Sequence, residues 1–110
     1  MVFVEHIRDA IISIEGFVQG IDEGIFYRDQ KTQYAVMKAL EIIGEASKNV
    51  PEKFKLQHSE VLWRAISDAK NVFVHEYFDV DLSIVWRVVK TDLPELKQQI
   101  SKILSDAGQN

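Results

Sequence analysis

Apolar residues recur along most of this chain in steps of three and four, and that pattern commits it to helices. Val4, Ile7, Ile11, Ile14 and Val18 form the first stripe, at the spacing of one helix face. Glu5, Arg8, Asp9 and Glu15 fall off it, while Phe3, Ala10 and Phe17 widen it. A face that wide touches more than one neighbour. The spacing predicts an amphipathic helix over residues 2–18, fraying near Gly20.

The same period continues downstream. Gly20 to Gly24 reads as a connector, and Ile25, Phe26 and Tyr27 as an apolar clamp. Asp29 is the expected N-cap of a helix starting at Gln30. That helix carries Val36, Leu40 and Ile43 on its stripe, with Ala35, Ala39, Ile42 and Ala46 beside it. Gly44 lies in its interior, where glycine costs about 1 kcal/mol relative to alanine, so it points to tight packing. Asn49-Val50-Pro51 ends the helix. Residues 51–58 read as a polar linker with one helical turn. Ser59 is then the expected cap of a third helix bearing Val61, Leu62, Ala65, Ile66, Ala69, Val72 and Phe73, ending near Tyr77. Asp79 or Asp81 caps a fourth with Leu82, Val85, Trp86 and Val89. Asp92 and Glu95 have capping-box spacing ahead of Leu96, Ile100, Ile103 and Leu104, with proline tolerated in the first turn. That last helix is either distinct or a kinked continuation, and residues 106–110 are a frayed tail.

The expected fold is therefore all-α, an up-and-down bundle of four to five helices in one domain, residues 1–110. Only five glycines and two prolines occur, and 46% of residues are apolar, which disfavours a turn-rich sandwich. Wide apolar arcs on short helices suggest a homodimer. No membrane span is expected. Glu5 and Arg8 break the N-terminal apolar run, so a signal peptide is not expected either, and the cytoplasm is the default.

Composition also excludes chemistries. Cysteine is absent, which removes disulfides, thiolate nucleophiles and Cys-based metal sites. The formal net charge is −4, from 13 basic and 17 acidic residues. Broad phosphate neutralisation needs a basic domain, so what remains open is a small, local phosphate site.

The polar residues in a catalytically useful order are Lys70-Asn71-Val72-Phe73-Val74-His75-Glu76-Tyr77. On a helix Asn71 and His75 share a face, where an amide can fix the imidazole tautomer. The Lys70 stem is long enough to bring its ammonium near. A histidine beside a cation and amide or hydroxyl groups suits phosphoryl chemistry. His75 can move a proton to or from a ribose oxygen, and Lys70 can stabilise charge on the phosphorus, with no metal or other cofactor required. A bland reading stands beside this one: a histidine near a helix end often serves only as a cap or surface residue. His75, Glu76 and Asp79 make a poor metal set, because Glu76 points away from its neighbour. Glu41 and Glu45 could pair as carboxylates, but a solvated face explains them. Trp63 and Trp86 fit packing, and His6 and His58 the surface.

The chain resembles the HEPN domains, on residues that run through most of its length. Lys70-x4-His75-x-Tyr77 looks like the family's Arg-x4-His-x-Tyr signature. Asp29-Gln30-Lys31-Thr32-Gln33-Tyr34-Ala35-Val36 resembles its D-x-x-T-x-x-A-V helix start. Leu40-Glu41-Ile42-Ile43-Gly44-Glu45-Ala46 is similar to L-E-x-I-G-E-A, and Trp63-Arg64-Ala65-Ile66 to the W-R-x-I that opens the motif helix. Residues 80–86 and Asp92-Leu93-Pro94 resemble the tail of the HepT-like branch.

That resemblance implies a homodimeric helical bundle with two motifs facing across a cleft. It implies a metal-independent endoribonuclease toxin acting on RNA, paired with an MNT-type nucleotidyltransferase antitoxin. His75 would be the general acid and base, Lys70 would hold phosphate, Asn71 would orient His75, and Tyr77 would contact substrate and accept AMP. An AMP there would place negative charge where substrate phosphate must sit. Glu45 is a candidate support for Lys70 or His75. Lys70 departs from the family arginine: it keeps the charge but lacks the planar fork that grips phosphate bidentately. Asp68, Glu76, Asp79 and Asp81 crowd the motif, and Arg64 or Arg87 of a second copy could offset them. The alternative reading is a catalytically attenuated binding subunit that docks, and is modified by, the nucleotidyltransferase.

Overall fold

A computed structural model describes residues 2–68 and 81–108. Among these the chain forms α1 (Val2–Val18), α2 (Glu23–Phe26), α3 (Gln30–Asn49), α4 (Glu52–Gln57), α5 (residues 63–68), α6 (Leu82–Arg87), a π-helical turn (Val88–Asp92) and α7 (Leu93–Asp106). The all-α expectation holds, and no strand occurs among the described residues.

The core follows the predicted stripes. Val4, Ile7, Ile11, Ile14 and Val18 are all buried, as are Val36, Leu40 and Ile43 on α3 and Leu96, Ile100, Ile103 and Leu104 on α7. Helix α1 packs mainly on α3 and secondarily on α7; of the residues expected to widen its apolar face Ala10 is buried and Phe3 half-buried, while Phe17 stays exposed. Residues from α1 through α7 merge into one apolar cluster. After α1 the chain turns at Gly20, whose φ of 75° is open to glycine without strain.

Two caps were legible. The Asp29 carboxylate accepts the Thr32 N–H at 3.2 Å and the Thr32 hydroxyl at 2.6 Å, starting α3. Asp81 does the same for α6, accepting the Ser83 N–H at 2.9 Å and its hydroxyl at 2.6 Å.

Other local expectations are corrected. The connector at 20–24 already contains the start of α2, capped by Asp22, which accepts the Ile25 N–H at 2.8 Å. Within the apolar clamp only Phe26 is buried, with its ring 5.2 Å from Trp86, while Ile25 and Tyr27 are exposed. The Phe26 carbonyl accepts the Gln33 side-chain amide at 2.8 Å, fixing α2 to α3. Ser59 does not cap the third helix. It sits in a turn, and α5 begins at residue 63 after Val61 has been drawn into the core. Leu62, expected on an apolar face, is 72% exposed, and Ala65 is exposed too.

The capping box at Asp92 and Glu95 does not form. Asp92 is already helical, with φ −80° and ψ −40°, and makes no side-chain cap bond. The fourth and fifth helices are one kinked continuation. Pro94 has no N–H, and its ring would press on the carbonyl four residues earlier, at Lys90. The chain widens into a π turn just ahead of it, where the Leu93 N–H reaches back five residues to the Val88 carbonyl.

Candidate functional site

Lys70, Asn71, His75 and Tyr77 lie outside the described residues, as do Glu76 and Asp79. What is described is the frame on both sides of that segment. The chain enters it from α5 and leaves it at Asp81, the cap of α6.

Helix α5 is held against α3 by a polar clamp inside the core. Ser47 is completely buried on α3. Its hydroxyl donates to the Trp63 carbonyl at 3.2 Å and accepts from the Ser67 hydroxyl at 3.3 Å. Burial of a hydroxyl is costly unless it is bonded, and these bonds satisfy it. Trp63 is buried as expected, and its Nε1–H donates to the His58 carbonyl at 3.0 Å. That bond fixes the turn ahead of α5. His58 is therefore not a plain surface residue: it is half-buried, its ring 4.5 Å from that of Phe54. His6 is exposed, and Trp86 is half-buried.

On the exit side, bonds from the Ser83 hydroxyl and then its N–H hold the Asp81 carboxyl below the ordinary value of 3.8. Asp29 is lowered in the same way, by the Thr32 hydroxyl first and then its N–H. Tyr27 moves the other way. Its hydroxyl bonds the Glu23 carboxylate, which pushes its pKa up to about 12.

Glu45 is exposed on α3, and the residues it would support lie outside the described ones. Glu41 sits 3.8 Å from Lys38, as part of a solvated face. Arg64 and Arg87 are both exposed. Among the described residues, no three His, Asp or Glu side chains gather as a metal set would require. No helix among them is long and apolar enough to cross a membrane.

Ser47 is the residue that sequence reasoning missed. Its signal was present: it continues the Val36, Leu40, Ile43 stripe by a further step of four. A hydroxyl on a core stripe implies a buried partner.

Comparison with known proteins bears on the whole chain. The family model described as "Ribonuclease HepT-like" matches residues 7–103. A protein of Thermococcus cleftensis named a probable ribonuclease HepT is 46% identical over 101 residues, covering 92% of each chain. A proposed RNase of Caldanaerobacter subterraneus is 37% identical, covering 93% of this chain and 91% of its own. A Methanocaldococcus jannaschii protein, named a gamma-glutamylcyclotransferase and proposed RNase, is 35% identical over 99% of this chain but only 49% of its own length. No solved structure matches.

Proposed function

The chain belongs to the HepT-like ribonuclease family, and from that membership we propose that it is a metal-independent endoribonuclease working through His75, Lys70, Asn71 and Tyr77. The observation that carries this reading is Lys70-x4-His75-x-Tyr77, which falls inside the matched span 7–103. His75 takes the proton of a ribose 2′-hydroxyl. The 2′-oxygen forms a bond to the adjacent phosphorus, and the bond from phosphorus to the 5′-oxygen breaks. The leaving 5′-oxygen takes a proton from an imidazolium, and the products are a 2′,3′-cyclic phosphate and a 5′-hydroxyl. Lys70 stabilises the charge that builds on the phosphoryl oxygens. Asn71 holds the His75 tautomer, and Tyr77 contacts substrate.

In the same reading residues 1–110 are one domain that pairs with a second copy in the cytoplasm. The protein is the toxin of a HEPN/MNT pair, and its partner is an MNT-type nucleotidyltransferase that adds AMP to Tyr77. The added phosphate repels substrate phosphate and silences the site. A second reading is favoured by Lys70 itself, which lacks the arginine fork. It is an attenuated subunit whose motif docks the nucleotidyltransferase rather than cleaving RNA.

The test is cleavage of labelled RNA by purified protein in EDTA, after its mass has excluded AMP on Tyr77. Wild type is expected to cut, and His75→Ala to melt at the same temperature and not cut. Cutting by folded His75→Ala would refute the assignment. No cutting by unmodified wild type, with cutting gained in Lys70→Arg, would establish the attenuated reading.

A further inference from the structure

A groove of about 980 Å³ opens where α3, α4 and α5 meet. Its lining includes Lys48 from the last turn of α3, Lys55 from α4 and Arg64 from α5. Three elements thus deliver three cations to one concavity. Among the described residues none of the three is ion-paired to a carboxylate. Glu52 and Asp68 also line the groove, leaving an excess of one positive charge. In a chain of net charge −4 that is a local reversal. Two other grooves among the described residues go the opposite way. One sets Glu15 and Asp22 against Lys90, and the other carries Glu60, Asp92 and Glu95 with no lysine or arginine.

The groove also reaches the point where the chain enters the motif segment. Asp68 is in its lining and stands two residues before Lys70, a stretch of chain that reaches at most about 7 Å. We propose that Lys48, Lys55 and Arg64 bind the phosphodiester backbone of single-stranded RNA beside the bond that is cut. The proposal rests on the ribonuclease reading and extends it to a substrate subsite. RNA is favoured over an acidic protein segment because a strand cut by residues 70–77 needs phosphate contacts beyond the cut bond, and this basic groove ends at Asp68, two residues before Lys70. A cationic groove that follows a backbone is the general means of holding a single strand without reading its sequence. Glu52 and Asp68 keep the hold weak enough for product to leave.

The experiment compares wild type with the Lys48→Gln/Lys55→Gln/Arg64→Gln variant, on a 20-nucleotide RNA and on a dinucleotide too short to span the groove. Each phosphate contact to a single strand contributes about 0.7 to the slope of log affinity against log salt. Losing three flattens that slope by about 2. Those three contacts account for about an 18-fold loss of affinity between 50 and 200 mM salt. Binding is read in the His75→Ala background, so that the RNA stays intact. The expected result is the flatter slope, together with a roughly tenfold fall in kcat/KM for the 20-mer relative to the dinucleotide. The Lys48→Arg/Lys55→Arg/Arg64→Lys variant, which keeps every charge, is expected to restore the slope and controls for folding. A glutamine variant that cuts and binds the 20-mer as wild type does overturns the subsite and leaves the ribonuclease reading standing. A wild type that neither cuts nor binds RNA overturns both.

Discussion

Replacing Ser47 with alanine tests whether the buried clamp, rather than apolar contact alone, seats α5 on α3. The substitution removes the donor to the Trp63 carbonyl and the acceptor for the Ser67 hydroxyl. A net intramolecular hydrogen bond contributes about 0.5–1.5 kcal/mol. At 3.2 and 3.3 Å these two are long, so together they contribute about 1.5 kcal/mol. Alanine returns about 0.5 kcal/mol through its higher helix propensity. The balance is a loss of about 1 kcal/mol, or a fall in Tm of about 4–8 °C for a chain of this size. Thermal unfolding followed by circular dichroism reads it directly. Ser67→Ala completes a double-mutant cycle, in which the two changes together are expected to cost less than their sum by about 0.5 kcal/mol. A Ser47→Ala protein that melts at or above the wild-type temperature would show that the hydroxyl contributes nothing net. Strict additivity with Ser67→Ala would show that the two hydroxyls do not interact.

Removing the α3 cap with Asp29→Ala is expected to cost about 1 kcal/mol, and Asp29→Ser much less, measured by urea unfolding. Asp29 and Asp81 are both held below 3.8 in the fold. A depressed carboxyl contributes stability that is present above its unfolded value and lost as pH falls through its folded one. Stability is therefore expected to drop as pH falls below about 4. Asn at both positions, which keeps an acceptor without titrating, should flatten that limb. Ile100→Ala, at a fully buried position, is expected to cost about 2–5 kcal/mol, read from the same unfolding curves. Lys70→Arg is expected to raise kcat/KM on RNA if phosphate grip limits cutting, and an unchanged value would place the limit elsewhere.

Periodicity was enough to find the long helices because each buries one continuous face. The α1 stripe runs unbroken from Val4 to Val18, and burial of such a face outweighs any local preference. It failed where two local signals competed. Ser59 looks like a cap, yet the chain gains more by burying Val61 and bonding the Trp63 indole to the His58 carbonyl. Asp92 and Glu95 look like a capping box, yet the helix does not stop there. A π turn absorbs Pro94 without exposing the helix ends that a true break would leave unbonded. Capping chemistry, at about 1 kcal/mol, was outweighed in the first case by burial further along the chain and in the second by unbroken backbone bonding through the π turn.

The candidate site divides along the same line. The residues proposed for its chemistry, Lys70, Asn71, His75 and Tyr77, could be read as a pattern because they sit close together in sequence, though their arrangement lies outside the described residues. The surroundings of that segment could not be read this way. Lys48, Lys55 and Arg64 are separated by seven and nine residues on three different elements, and no period relates them. Only the fold turns three unremarkable surface cations, in an acidic chain, into one basic concavity. Ser47 lies between these cases: its place on the α3 stripe announces a buried hydroxyl, but not that α5 supplies the partners. The residues that would break and form bonds were therefore written locally. Those that seat α5, and those proposed to hold substrate, come together through the packing of α3, α4 and α5.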